Sequence, residues 1–124
     1  MGLDMFLEGA YNTPEGLKTR EFLYWRKHYP IMAWFDEELG GVENLVKYDI
    51  TLEQLDKLKE WCRQIYKDGT FDKCESFKHD DWVITKHNQD FDEYLLKGCK
   101  ATVTMIDELL NEEKPEYLIF HAWW

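Results

Sequence analysis

This chain is short of cysteine, proline and positive charge, and it has no long apolar run; each shortage removes a class of protein. Its three cysteines, Cys62, Cys74 and Cys99, are widely separated and form no CxxC pair. They are expected to be free thiols rather than a disulfide framework. No apolar stretch approaches the roughly 18 residues that a membrane helix requires, and no basic segment followed by an apolar run opens the chain. A soluble, cytosolic protein is the expectation. Fifteen Lys and Arg face 25 Asp and Glu, a formal charge of −10. That balance disfavours direct nucleic-acid binding, which must neutralise phosphates. Residues 1–62 hold 12 acids and 7 bases and residues 63–124 hold 13 and 8, so each half carries −5 and there is no acidic tail. A partner with a basic surface is expected instead, and mimicry of nucleic acid is the sharper form of that expectation.

Motifs that carry chemistry are equally scarce. The stretch "KHDDWVITKH" gathers His79, Asp80, Asp81 and His87, but at no zinc-ligand spacing. Gly40 and Gly41 follow a helical pattern, and Gly2, Gly9 and Gly16 are isolated, so no phosphate-cradling loop is present. No Ser, His and Asp arrangement stands out. His121 lies inside an aromatic strand pattern and reads as a packed, hydrogen-bonded residue. No metal, no cofactor and no enzymatic activity are expected.

Aromatic residues are what the chain has in plenty: 16%, within a hydrophobic share of 44%. That is enough to fold, and 124 residues suit one domain, 1–124, with a real core. "LDMFLEGAY" places Leu3, Met5 and Leu7 on one face of a strand, "NTPEG" supplies a turn, and "LKTREFLYW" returns as the second arm of a hairpin. Ile31, Trp34, Phe35 and Leu39 then follow helical spacing, with Pro30 acceptable in the first turn and Gly40 and Gly41 as the end. "TLEQ" is a capping box on Thr51 and Gln54, opening a helix with the stripe Leu55, Leu58, Cys62 and Ile65 and a stop at Gly69. "DWVITK" reads as a strand. Asp90 caps a third helix carrying Phe91, Leu95, Thr102, Ile106 and Leu109 inward until Lys114 and Pro115. "YLIFHAWW" is apolar on both faces and reads as a buried strand, with Tyr117, Ile119, His121 and Trp123 on one side. The expected architecture is α+β: an antiparallel or mixed sheet of about four strands with three helices mainly on one face.

Two sets of residues are candidate sites. Asp36, Glu37 and Glu38 oppose the dipole of the helix they end, and with Glu43 they form a candidate acidic contact patch for a lysine- or arginine-rich partner. The segment "LYWRKHYPIMAW" mixes core and surface. Ile31, Trp34 and Phe35 belong inside, whereas Arg26, Lys27 and His28 are expected at the surface. As an alternative site, Tyr24, Trp25 and Trp124 would stack a nucleotide base while Arg26 and Lys27 hold its phosphate.

Several stretches together resemble a family of small proteins encoded by bacteriophages and prophages. They are the opening "MGLDMFL", "YWRK" at Tyr24 to Lys27 followed by Ile31 and "WF" at Trp34 and Phe35, "EQL" with the later Cys62, "DEY" at Asp92 to Tyr94, and an aromatic end closing on tryptophan. The chain departs from the family pattern at Met32, where histidine is usual, at Tyr29 and Pro30, and in a shorter first hairpin. The resemblance implies a phage origin and a place of action in the host cytoplasm, without naming an activity. Small phage proteins of this kind often block host machinery by contact. The leading expectation is therefore a stoichiometric inhibitor of a host defence or regulatory protein, of the anti-CRISPR or other anti-defence type. The alternatives are a protein that sequesters a nucleotide signal and a structural or assembly protein of the phage particle.

Overall fold

Alternation of apolar and polar side chains from Leu3 onward writes the first strand, and the computed structural model, which describes residues 3–68, 89–112 and 114–124, carries that alternation into an antiparallel hairpin. Strands β1 (Asp4–Thr13) and β2 (Gly16–Arg26) are joined at a tight turn, where Gly16 takes φ +115 and Thr13 Oγ1 donates to its carbonyl at 2.6 Å. The register slips between Leu7 and Glu8, because Leu7 faces Leu23 while Glu8 faces Glu21. Phe22 is the extra residue of this bulge. Its ring comes so close to Gly9 that a Cβ there would lie 2.1 Å from Phe22 Cε2, which is why that strand position carries glycine.

Helix α1 (Tyr29–Glu38) follows at once, then β3 (Lys47–Ile50), α2 (Leu52–Asp68), α3 (Gln89–Asn111) and β4 (Tyr117–Trp123). The sheet order is β2-β1-β4-β3, and every pairing is antiparallel. The capping box forms as expected: Gln54 N donates to Thr51 Oγ1 at 3.0 Å, and Thr51 N to Gln54 Oε1 at 2.9 Å. The stripe Leu55, Leu58, Cys62 and Ile65 is buried, as are Leu95, Cys99, Thr102, Ile106 and Leu109 of the facing helix. Lys59 ties α2 to α3 by reaching Asp107 at 3.1 Å while also pairing with Asp56 at 3.3 Å. Its hydrogen bond to Asp107 raises the ammonium above its ordinary pKa.

The helices cover one face of the sheet. Met5, Leu7, Leu23, Trp25, Leu118, Phe120 and Ala122 point to that side and are all buried. Phe35 of α1 lies flat on Phe120 with ring centres 3.8 Å apart. Trp34 meets Phe35 edge-on at 5.0 Å, and Trp25 meets it at 5.9 Å. Among the described residues no helix is long and apolar enough to cross a membrane.

Four details differ from the sequence reading, and a fifth expectation falls outside the described residues. The fourth strand of the described sheet is β3, four residues with Lys47 and Asp49 facing outward, too short and polar to announce itself. "DWVITK" and the stop at Gly69 lie outside the described residues. Helix α3 includes Gln89 and Asp90, so it begins before the expected cap. Strand β4 is central but buried on one face only, because nothing among the described residues overlies its outer side. His28 is buried rather than exposed.

Truncating Trp34 to alanine should remove about 3 to 5 kcal/mol, close to the whole stability of a small domain. Urea unfolding of Trp34→Ala is expected to show a collapsed midpoint or no folded baseline. An unchanged midpoint would place the indole outside the core. Phe35→Leu, which keeps apolar volume but loses the ring stack, should cost less and remain folded.

Candidate functional site

The candidate acidic patch does not assemble as one surface. Asp36 is buried; its carboxylate accepts from Val42 N at 2.8 Å, and its carbonyl accepts from Gly41 N at 2.8 Å. This acid near the helix end thus serves the turn that follows, which is what offsets its opposition to the dipole. Glu38 pairs with Lys57 of α2 at 3.2 Å. Only Glu37 and Glu43 are fully at the surface. The candidate stacking set is divided as well. Tyr24 and Trp25 are consecutive strand residues and point to opposite faces, so they cannot grip one base. Trp25 is buried, with Nε1 donating to Thr102 Oγ1 at 2.8 Å. Trp124 packs partly against the core, its amide bonded to Asn44 Oδ1 at 3.0 Å. Arg26 and Lys27 are exposed, and Lys27 takes φ +54 with its amide donating to Leu3 O at 2.7 Å.

What the structure does bring together is the outer face of the sheet. The register aligns Arg26, Asp4 and Trp123 in one row, then Tyr24, Phe6, His121 and Lys47 across all four strands. The next rows are Glu21, Glu8, Ile119 and Asp49, followed by Thr19, Ala10 and Tyr117. Tyr24, Tyr117 and Trp123 are 47%, 54% and 49% exposed. Phe6 stacks on His121 at 4.9 Å and tilts against Tyr24 at 5.1 Å. The phenol of Tyr24 donates to Asp4, and this bond to a carboxylate raises the phenol above its ordinary pKa. His121 Nε2 lies 3.1 Å from Glu8 Oε1. Four carboxylates, Asp4, Glu8, Glu21 and Asp49, share the face with two cations, Arg26 and Lys47. Glu8 and Glu21 are direct cross-strand partners, and like charges so placed cost stability. Sequence alternation had already put Tyr117, Ile119, His121 and Trp123 on one side, and the expected packing of helices on the other face leaves that side uncovered among the described residues.

A second group of polar side chains lies inside. The ring of His28 caps α1 by accepting from Ile31 N at Nδ1, 3.3 Å away. The proton therefore sits on Nε2, which donates to Leu95 O at 2.8 Å. Gly98 makes room for this ring, since a Cβ there would lie 2.6 Å from His28 Cδ2. Cys99 Sγ is 3.9 Å from His28 Nε2. The Cys62 thiol, and after it His28, bring the Cys99 thiol down to about 6 from 9.0, while burial pushes it up. Both thiols are fully buried, so this lowering does not make an accessible nucleophile. No group of three or more His, Cys, Asp or Glu among the described residues is placed to hold a metal ion.

Gly98→Ala should destabilise the chain by about 1 to 3 kcal/mol, because the new methyl displaces His28 from two hydrogen bonds. In a His28→Ala background the same substitution should cost far less. Equal costs in the two backgrounds, measured by urea unfolding, would show that the glycine and the histidine are not coupled.

Comparison with family models, with curated proteins and with solved structures gives no match for this chain, so the reading of its surface rests on geometry and sequence.

Proposed function

We propose that this chain is a phage-encoded binding protein that inhibits a host defence or regulatory protein of the anti-CRISPR or wider anti-defence kind, by laying its open sheet face on a basic surface of that partner. The observation that supports this reading is the face itself. Three half-exposed aromatic rings, Tyr24, Tyr117 and Trp123, sit among four carboxylates on one face of the sheet. Rings of this kind anchor interfaces at small entropic cost, and an arginine or lysine set over a tyrosine or tryptophan gains a cation–π contact as well. Glu8 and Glu21 stand opposite one another, so a cation from a partner placed between them would relieve their repulsion. The net charge of −10 extends the same preference to long range and speeds encounter with a basic surface. The host cytoplasm is the proposed place of action.

Replacing Tyr117 or Trp123 with alanine should weaken binding to a purified host target by about 2 kcal/mol, roughly thirtyfold in affinity, with little change in melting temperature. Surface-plasmon kinetics across a salt series should show association slowing as salt rises while dissociation changes little. Full binding by both alanine variants, together with its loss in Glu37→Lys and Glu43→Lys, would move the contact to the end of α1 and overturn the proposal.

A further inference from the structure

A cleft of about 280 Å³ opens between β2 and α3, lined by Tyr24, Trp25, His28, Tyr94, Lys97 and Ala101 among others. A second hollow of about 360 Å³ shares Lys97 and Ala101 with it and continues over Lys100, Thr104 and Met105 to Glu108. The two adjoin as a trough along α3, with Tyr24 and Tyr94 at one end, Lys97 where they meet, and Lys100 and Glu108 on the walls beyond. We propose that this trough binds a nucleotide, with the base at the tyrosine end and the phosphate at the lysine end.

The chemistry of the walls favours a flat anion. Tyr24 and Tyr94 are each nearly half exposed, at 47% and 46%. Their hydroxyls are already engaged, Tyr24 with Asp4 and Tyr94 with Arg26 O at 2.6 Å. What they offer a ligand is therefore ring surface, which stacks on any base without reading its edge. The inner wall makes no polar demand either. Trp25 Nε1 donates to Thr102, Thr102 donates to Gly98 O at 2.7 Å, and His28 donates to Leu95 O. The floor between the two ends is built from small residues. Gly98 is small because His28 requires it, whereas Ala101 is exposed.

Lys97 and Lys100 stand one helical turn apart on the same face and supply the ammonium groups of the trough, with Glu108 on the same wall. Among the described residues Lys97 pairs with Glu93, an exposed contact at 3.4 Å of small worth in water that a phosphate would readily replace. The Lys100 ammonium lies 5.5 Å from the Tyr66 ring, a contact that leaves its N–H donors to spare. Neither lysine belongs to the open sheet face, so the trough is separate from the protein-binding surface except at Tyr24, which stands on the strand between them.

The test is calorimetric titration and thermal melting of the full chain with AMP, ATP, cyclic di-AMP and cyclic di-GMP, and with palmitate as an apolar anion. At least one nucleotide should bind and raise the melting temperature, and the linear and cyclic arms separate a metabolic nucleotide from a signalling one. Lys97→Ala with Lys100→Ala should weaken that binding about tenfold or more, since two charge-assisted contacts are lost. Ala101→Trp, a change at an exposed helical position that fills the trough, should abolish it. Trp123→Ala should leave it intact. No binding by any nucleotide overturns the proposal, as does binding indifferent to the lysine pair and to Ala101→Trp. Tighter binding of palmitate than of every nucleotide would assign the trough to a lipid anion and overturn it equally.

Discussion

Phe35 lying flat on Phe120 is the contact on which the arrangement of this molecule depends. Phe120 comes from the central strand β4 and Phe35 from the short helix α1, and both are fully buried. Trp34 and Trp25 close on the same ring, so β2, α1 and β4 meet at one aromatic centre. Side chains of this size exclude water over a large area, and their loss leaves a cavity that a small domain cannot easily collapse. A helix of ten residues has little stability of its own. It persists because this centre holds one side, while His28 caps its start and Asp36 serves the turn at its end.

Placing the three described helices on one side of the sheet has a consequence for the other side. An antiparallel sheet can leave one face to solvent when that face is polar. Here it is only partly polar, since Tyr24, Tyr117 and Trp123 stand among the carboxylates. Two internal contacts limit the cost of this mixture: Phe6 sheltered between Tyr24 and His121, and Glu8 held by His121. In the proposed reading, a basic protein surface would cover the apolar part of this face and meet its carboxylates.

Much of the fold was legible because its signals are local. The hairpin turn, the capping box on Thr51 and Gln54, and the stripes of α2 and α3 are each written within a few residues, and each formed. The α+β class followed from them. Strand β3 was not legible, since four residues carry too little alternation to be heard. His28 was misread for a different reason. Beside Arg26 and Lys27 it looks like a third surface cation, and histidine is an unusual helix cap; its burial is made tolerable by Ile31 N at one ring nitrogen and, at the other, by the carbonyl of Leu95, 67 positions away. Of the candidate site residues, Asp36 and Trp25 were drawn inside by hydrogen bonds to Val42 and Thr102, while Tyr24 stayed at the surface and gained Asp4. No local pattern encodes which strand neighbours which, and the open face exists only through that order.

The buried histidine also fixes the geometry of the surface above it. Gly98 must lack a side chain because His28 fills the space a Cβ would need, and this lets α3 come close to the start of α1. The same approach brings Thr102 within reach of Trp25 and Tyr94 within reach of the end of β2. Three contacts from three successive turns of α3 thus set the helix against the sheet edge at a fixed distance. A wider spacing would open the cleft beside Tyr24, and a closer one would shut it. The depth of the trough is accordingly a property of the core, and the residues on its rim can vary in charge without altering its shape.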